Sequence, residues 1–214
     1  MSVIATGGHA PHEQRGSDDM EPNPRVRFDG RGESGQGGVK IRRVVTGLTA
    51  GGTPAIVSDG APPRSHVHTL PPGMVNTLLW NTSAAANTMG EDRTRELASY
   101  VPAPGDSVAL VVTFPPDSVF ADPDFDFVAA ASEQREAIPG LAELFEQDCP
   151  GMHTTPSVDY GVVLDGEIIL DLEQDSTVLR AGDIVVQNGT RHAWRNATDN
   201  PAVMFFVLIG TGSP

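Results

Sequence analysis

The stretch from Met152 to Ile209 sets the narrowest limits on what this chain can fold into. It reads as short runs of Val, Ile and Leu broken by Gly, Asp and Asn, the pattern of a compact antiparallel β structure with tight turns. Strands are predicted over 158–164, 167–173, 177–180, 184–187, 191–195 and 202–209. Asp165-Gly166 fits a two-residue hairpin turn, whose central positions need the positive φ that this dipeptide readily takes. Ala181-Gly182-Asp183 and Asn188-Gly189 turn the chain again. Strands this short and evenly spaced predict a small barrel or jelly roll, because closure leaves no long edge unpaired.

Polar residues within that frame point to chemistry. Side chains alternate along a strand, so His153, Thr155 and Asp159 share one face and His192, Trp194 and Asn196 share another. With both faces turned inward, two imidazoles and one carboxylate converge. That is the ligand set of a two-histidine, one-carboxylate metal centre, which keeps positions open for water or substrate. Trp194 then walls the pocket, Tyr160 faces away, and Asn196 braces its turn. Gln187 and Arg191 flank His192 and can reach a substrate oxygen, although solvation at the surface is the commoner fate of an arginine.

The segment resembles the cupins, whose first motif is G-x5-H-x-H-x3,4-E-x6-G and whose second is G-x5-P-x-G-x2-H-x3-N. Counting back from Gly166, the glutamate position falls on Asp159 and the two histidine positions on Thr155 and His153. The second motif runs from Gly182 through Gly189 and His192 to Asn196, one spacer residue short and with Gln187 in place of the proline. The patterns H-x-T-x3-D-Y and H-x-W-R-N resemble those of a bacterial and fungal subgroup. The resemblance covers roughly the last 60 residues. It implies an all-β cupin jelly-roll barrel with a short helical insertion, and a homodimer paired through its sheets. It also implies a divalent metal, one of Fe, Zn, Ni or Mn, on His153, Asp159 and His192. Asp159 and His192 would be catalytic, and Thr155, Gln187 and Trp194 would line the substrate pocket. Thr155 is a departure, since a hydroxyl is a poor ligand and leaves at most three from the protein. Asp159 is another, being about one methylene shorter than glutamate.

The rest of the chain fills in around that segment. The first 38 residues are rich in Gly, Pro, Ser and charged groups, and too poor in apolar surface to offset their ordering entropy, so a disordered tail is expected there. His9 and His12 fall inside it as solvated side chains. Residues 39–214 are expected to form one barrel domain. Strands are predicted over 40–46, 55–58, 74–82 and 107–114, supplying one sheet of the barrel or the remnant of a second half. A helical turn is expected over 92–97. Between 117 and 148 lies the non-β insertion, with helices predicted over 127–137 and 141–147 separated at Pro139-Gly140. Leu141, Leu144 and Phe145 give it an apolar stripe that packs on the barrel, or covers its mouth as a lid. Ser65-His66-Val67-His68 has metal-ligand spacing but sits among prolines with no matching carboxylate in sequence, so loop histidines near the surface are expected there.

Composition removes several classes. A net charge of −14 argues against a nucleic-acid surface. No apolar run approaches the roughly 20 residues that span a bilayer. A single cysteine, Cys149, and the lack of a basic, apolar leader favour a reducing, cytoplasmic setting. The partner expected is a small-molecule substrate. Three activities stay open: a metal-dependent lyase or isomerase acting on a hydroxy-carbonyl or polyketide-like metabolite, an iron-dependent oxygenase, and a non-enzymatic binder, favoured by the missing histidine. Asp159, where it is not a ligand, can serve as a base whose pKa burial raises.

Overall fold

A computed structural model describes residues 40–85 and 92–212; the expected tail, with His9 and His12, lies outside them. The described chain is built almost wholly of antiparallel β structure. Strands β1 (Arg43–Leu48) and β2 (Pro54–Gly60) form a separate hairpin. The main sheet has six strands in the order β3 (Arg64–Val67), β4 (Val75–Thr82), β5 (Ser107–Phe114), β11 (Ala202–Gly210), β6 (Ser157–Asp165) and β9 (Ile184–Gln187). A second sheet runs β10 (His192–Arg195), β7 (Glu167–Leu172) and β8 (Ser176–Arg180). β3 pairs with β4 and β4 with β5, and β5 joins β11, paired from Ser107 opposite Ile209 to Phe114 opposite Ala202. Of the N-terminal strands, those predicted over 74–82 and 107–114 thus complete a sheet of the barrel, whereas those predicted over 40–46 and 55–58 do not and pair only with each other. The 86–91 part of the following loop lies outside the described residues, and the expected helical turn is a 3-10 turn at Thr94–Glu96.

One apolar core joins the two sheets and the insertion. Leu78, Leu110, Met204 and Ile168 are buried in it from the sheets, and Ile138 and Ala142 from the insertion. Each such side chain contributes about 1.5–3 kcal/mol by leaving water. The hairpin expected at Asp165-Gly166 is not formed: β6 pairs with β11 and β9, and β7 with β10 and β8. The chain passes from the main sheet to the second sheet at Gly166, where φ is +76° and an added Cβ would stand 2.7 Å from the Pro201 carbonyl. That close approach packs the crossing against the start of β11, and only glycine fits it.

Helix α1 (Phe127–Ala137) begins where expected, because the Asp126 carboxylate accepts the N–H groups of Val128 and Ala129. The helix expected over 141–147 is reduced to a 3-10 turn at Ala142–Leu144. Phe145 has already returned to extended backbone, and the Glu146 N–H goes to the Met152 carbonyl. The stripe is still used, with Leu141 and Phe145 packed on the core. A second correction concerns His66 and His68. They are not surface loop residues: His66 lies on β3 and His68, at its exit, is 3% exposed.

Candidate functional site

Two strands bring the site together. His153 and His192 face each other in an isolated antiparallel bridge, each N–H bonded to the other's carbonyl at 3.0 Å. The ladder holds their rings 4.3 Å apart, centroid to centroid. The Nδ1 of His153 meets the Gly151 carbonyl at 3.0 Å, and that of His192 meets the Thr190 carbonyl at 2.9 Å. A carbonyl only accepts, so both rings carry their proton on Nδ1 and present Nε2 as a lone pair. Burial lowers the pKa of each. His192 falls to about 4, pushed down further by neighbouring His153 and only partly restored by the Thr190 carbonyl. Burial also outweighs the Gly151 carbonyl and Glu146 at His153. Both imidazoles are neutral at pH 7.

Asp159 sits nearby on β6, opposite Gln187 of β9 and Leu208 of β11. It is 6% exposed, and burial raises its pKa to about 6 against the opposing hydrogen bond from the Ser157 hydroxyl, 2.6 Å away. The parity argument holds for this strand: His153, Thr155, Ser157 and Asp159 are all buried. Ser157, with the same parity as the residues singled out, was missed because a lone hydroxyl carries no spacing signature. It lies between Thr155 Oγ1, at 2.9 Å, and Asp159.

The other expected site residues divide. Trp194 lines the cavity described below and packs edge-on to His192 at 5.7 Å. Thr155 and Gln187 are buried behind it and do not line it. The Gln187 amide instead donates to the Thr190 carbonyl at 3.0 Å, the same oxygen that orients His192. Gln187 is thus a positioning residue. Asn196 braces its turn, donating to the Phe114 and Asn200 carbonyls and accepting from Thr198. Tyr160 faces out. Arg191 neither reaches into the cavity nor stands solvated; it pairs with both oxygens of Glu146 at 2.7 Å, tying the approach to β10 to the segment before His153.

The site opens into a cavity of about 810 Å³. His153, Asp159 and Trp194 line its polar end, and Phe125, Phe127, Phe145 and Phe206 line the apolar remainder. Helix α1 and residues 141–151 supply part of the lining, and the insertion also packs on the core, as expected of its apolar stripe. Such a volume suits a largely apolar organic molecule with few polar groups.

As a metal centre the residues fit in part. The two Nε2 lone pairs are oriented as metal-bound histidines are, each ring held by a carbonyl on its far side. The Asp159 carboxylate is turned to Ser157, and the donor atoms of His153, His192 and Asp159 do not all lie within 4.8 Å of one another. Among the described residues one group meets that spacing, His66, His68 and Glu133.

Two antiparallel sheets closed over an inward-facing polar cluster define a jelly-roll barrel with an internal site. Residues 146–208, which include His153, Asp159 and His192, match the family model described as a cupin domain. The chain is 61% identical over 46 residues to the phomopsin biosynthesis cluster protein C' of Diaporthe leptostromiformis, covering 21% of this chain and 24% of that protein. It is 42% identical over 62 residues to the cupin-domain-containing oxidoreductase virC of Hypocrea virens, covering 27% and 32%. The chain thus spans a quarter to a third of the length of these curated relatives. A cupin 2 conserved barrel domain protein from Salinispora arenicola aligns in structure with a TM-score of 0.35 at 15% identity, over 64% of this chain and 75% of that one. Among the described residues no helix is long and apolar enough to cross a membrane.

Proposed function

We propose that this cupin is a secondary-metabolism enzyme of lyase or isomerase type, acting on a small oxygenated organic metabolite by proton transfer at Asp159. The observation that carries the reading is a carboxyl with a pKa of about 6 that lines, with His153, a large and mostly apolar cavity. A group that titrates near neutrality is suited to both removing and returning a proton. The aromatic walls hold the hydrocarbon part of the substrate and exclude water. Asp159 removes a proton from the carbon next to a carbonyl. It returns that proton to a departing hydroxyl, giving water and an unsaturated product, or to another carbon, giving an isomer. Ser157 holds the carboxylate in place, and Gln187 holds His192 through the Thr190 carbonyl. The Nε2 atoms of His153 and His192 would hold a divalent metal, which would supply Lewis-acid polarisation of a substrate oxygen when bound.

The relatives named as cupin-domain-containing oxidoreductases support a second reading, an iron-dependent oxygenase using the same pocket. The two part under argon. A panel of β-hydroxy-carbonyl compounds incubated with the protein in D2O is read by mass spectrometry for loss of water or deuterium uptake. The lyase or isomerase reading expects anaerobic turnover that Asp159→Asn abolishes; turnover that needs both O2 and ferrous iron transfers the assignment to the oxygenase. The reading includes a homodimer. In support, β9 is an edge of the main sheet and leaves Ile184 and Val186 exposed beside exposed Tyr160, the cross-strand neighbour of Val186.

A further inference from the structure

The histidines of β3 and its exit have no part in the cavity, yet they are organised as ligands are. His66 and His68 stack edge-to-face with centroids 4.6 Å apart. Helix α1 brings Glu133 to them from 67 residues away, its Oε1 lying 2.9 Å from His66 Nε2. The carboxylate is fixed from behind by the N–H groups of Thr69 on Oε1, at 2.8 Å, and Leu70 on Oε2, at 2.9 Å. Burial alone would push its pKa up, but these two donors and His66 outweigh it and bring it to about 2, so the group is ionised at any physiological pH. His68 Nε2 lies 2.5 Å from Asn76 Oδ1, an acceptor, which places the ring proton on Nε2 and leaves Nδ1 as a lone pair. That Nδ1 is buried and has no hydrogen-bond partner, in a side chain that is 97% removed from solvent by its 3% exposure. That nitrogen makes no hydrogen bond of good geometry, although the Leu70 backbone lies near the ring, and one ring nitrogen from each histidine and a carboxylate oxygen lie within 4.8 Å of one another.

We propose that His66, His68 and Glu133 form a second divalent-cation site, of the zinc-binding class, separate from the cavity. Two imidazoles and a carboxylate are a recurring zinc set that leaves a fourth position for water. The His66 side chain, 40% exposed, gives the ion a path to and from solvent. Binding displaces the proton shared between His66 and Glu133 and satisfies the His68 lone pair, while Asn76 serves as the outer brace of that ring. The ion would staple α1 to β3. Because α1 and Asn76 both line the cavity, the staple sets the position of one cavity wall without touching the substrate.

The chain has six histidines, at 9, 12, 66, 68, 153 and 192, so a variant with His9, His12, His153 and His192 replaced by alanine keeps only the proposed pair. That full-length variant, stripped with chelator, is titrated with ZnCl2 by calorimetry and with CoCl2 by visible absorption. One equivalent of each metal is expected, with a cobalt spectrum of four- or five-coordinate nitrogen and oxygen ligands. Adding Glu133→Gln or His66→Ala, the latter at a half-exposed side chain, is expected to weaken binding at least tenfold. Circular dichroism in chelator checks that each variant is folded. Should Glu133→Gln unfold, His66→Ala and the 15N shift of His68 Nδ1 on adding zinc decide alone. No binding to the two-histidine variant, or binding unchanged by His66→Ala with no Nδ1 shift, overturns the proposal. The readouts are metal binding and ring shifts, not turnover, so they decide this site whatever the outcome at Asp159.

Discussion

Asp159 carries an unfavourable burial that the protein keeps. Its folded pKa of about 6 stands above the ordinary 3.8, so the folded state holds the proton more tightly than the unfolded chain. Stability from this group is therefore full below pH 4 and is lost as the pH rises through 6. The difference of about two units is worth roughly 3 kcal/mol at 1.36 kcal/mol per unit. Asp159→Asn in metal-free protein is expected to raise the melting temperature at pH 7.5 and to leave it nearly unchanged at pH 4, as read by differential scanning calorimetry. His192 runs the other way. Its pKa is lowered to about 4, so its neutral form favours folding above pH 6.5 and that contribution fades as the pH falls towards 4. Gly189, with φ at +63°, lies where an added Cβ would come 3.0 and 3.1 Å from the Thr155 and Ser157 carbonyls. Gly189→Ala is expected to cost about 1–2 kcal/mol in urea unfolding, for the left-handed backbone alone. It should also shift the His192 ring resonances, because the oxygen that orients them belongs to the next residue.

At the scale of elements, the cap on α1 gives a direct test. Asp126→Ala removes the acceptor of two N–H groups and is expected to cost about 1 kcal/mol, with faster amide exchange over 127–137. The strands of the barrel were legible because short β-branched and apolar runs end at Gly, Asn or Pro: Ile184–Gln187, before Asn188-Gly189, and Ser107–Phe114, before Pro115-Pro116, lie where the sequence predicts them. Local signals failed where tertiary contacts decide. Leu141, Leu144 and Phe145 have helical spacing, but Glu146 must reach Met152 and the chain unwinds to do so. His66 and His68 were set aside for lack of a carboxylate, because the one that meets them is on a helix 65 residues further along and no spacing rule links the two. In the same way parity put Asp159 and the two histidines on inward faces, but not the turn of the carboxylate towards Ser157.

The chain is acidic, and its described residues form a barrel with an insertion that helps line a mostly apolar cavity holding His153 and Asp159. The exposed row of Ile184, Val186 and Tyr160 on β6 and its edge neighbour β9 is out of keeping with a free surface of such charge. Sedimentation velocity is expected to show a dimer for the wild type and a monomer for Val186→Asp, with the circular dichroism unchanged. The account turns, though, on what the barrel keeps at its centre. The most direct measurement is a 13C titration of the aspartate carboxyl carbons in metal-free protein, with Asp159→Asn identifying the resonance. We expect Asp159 to titrate near pH 6; a midpoint at or below pH 4.5 would contradict its role as the acid–base group of the cavity.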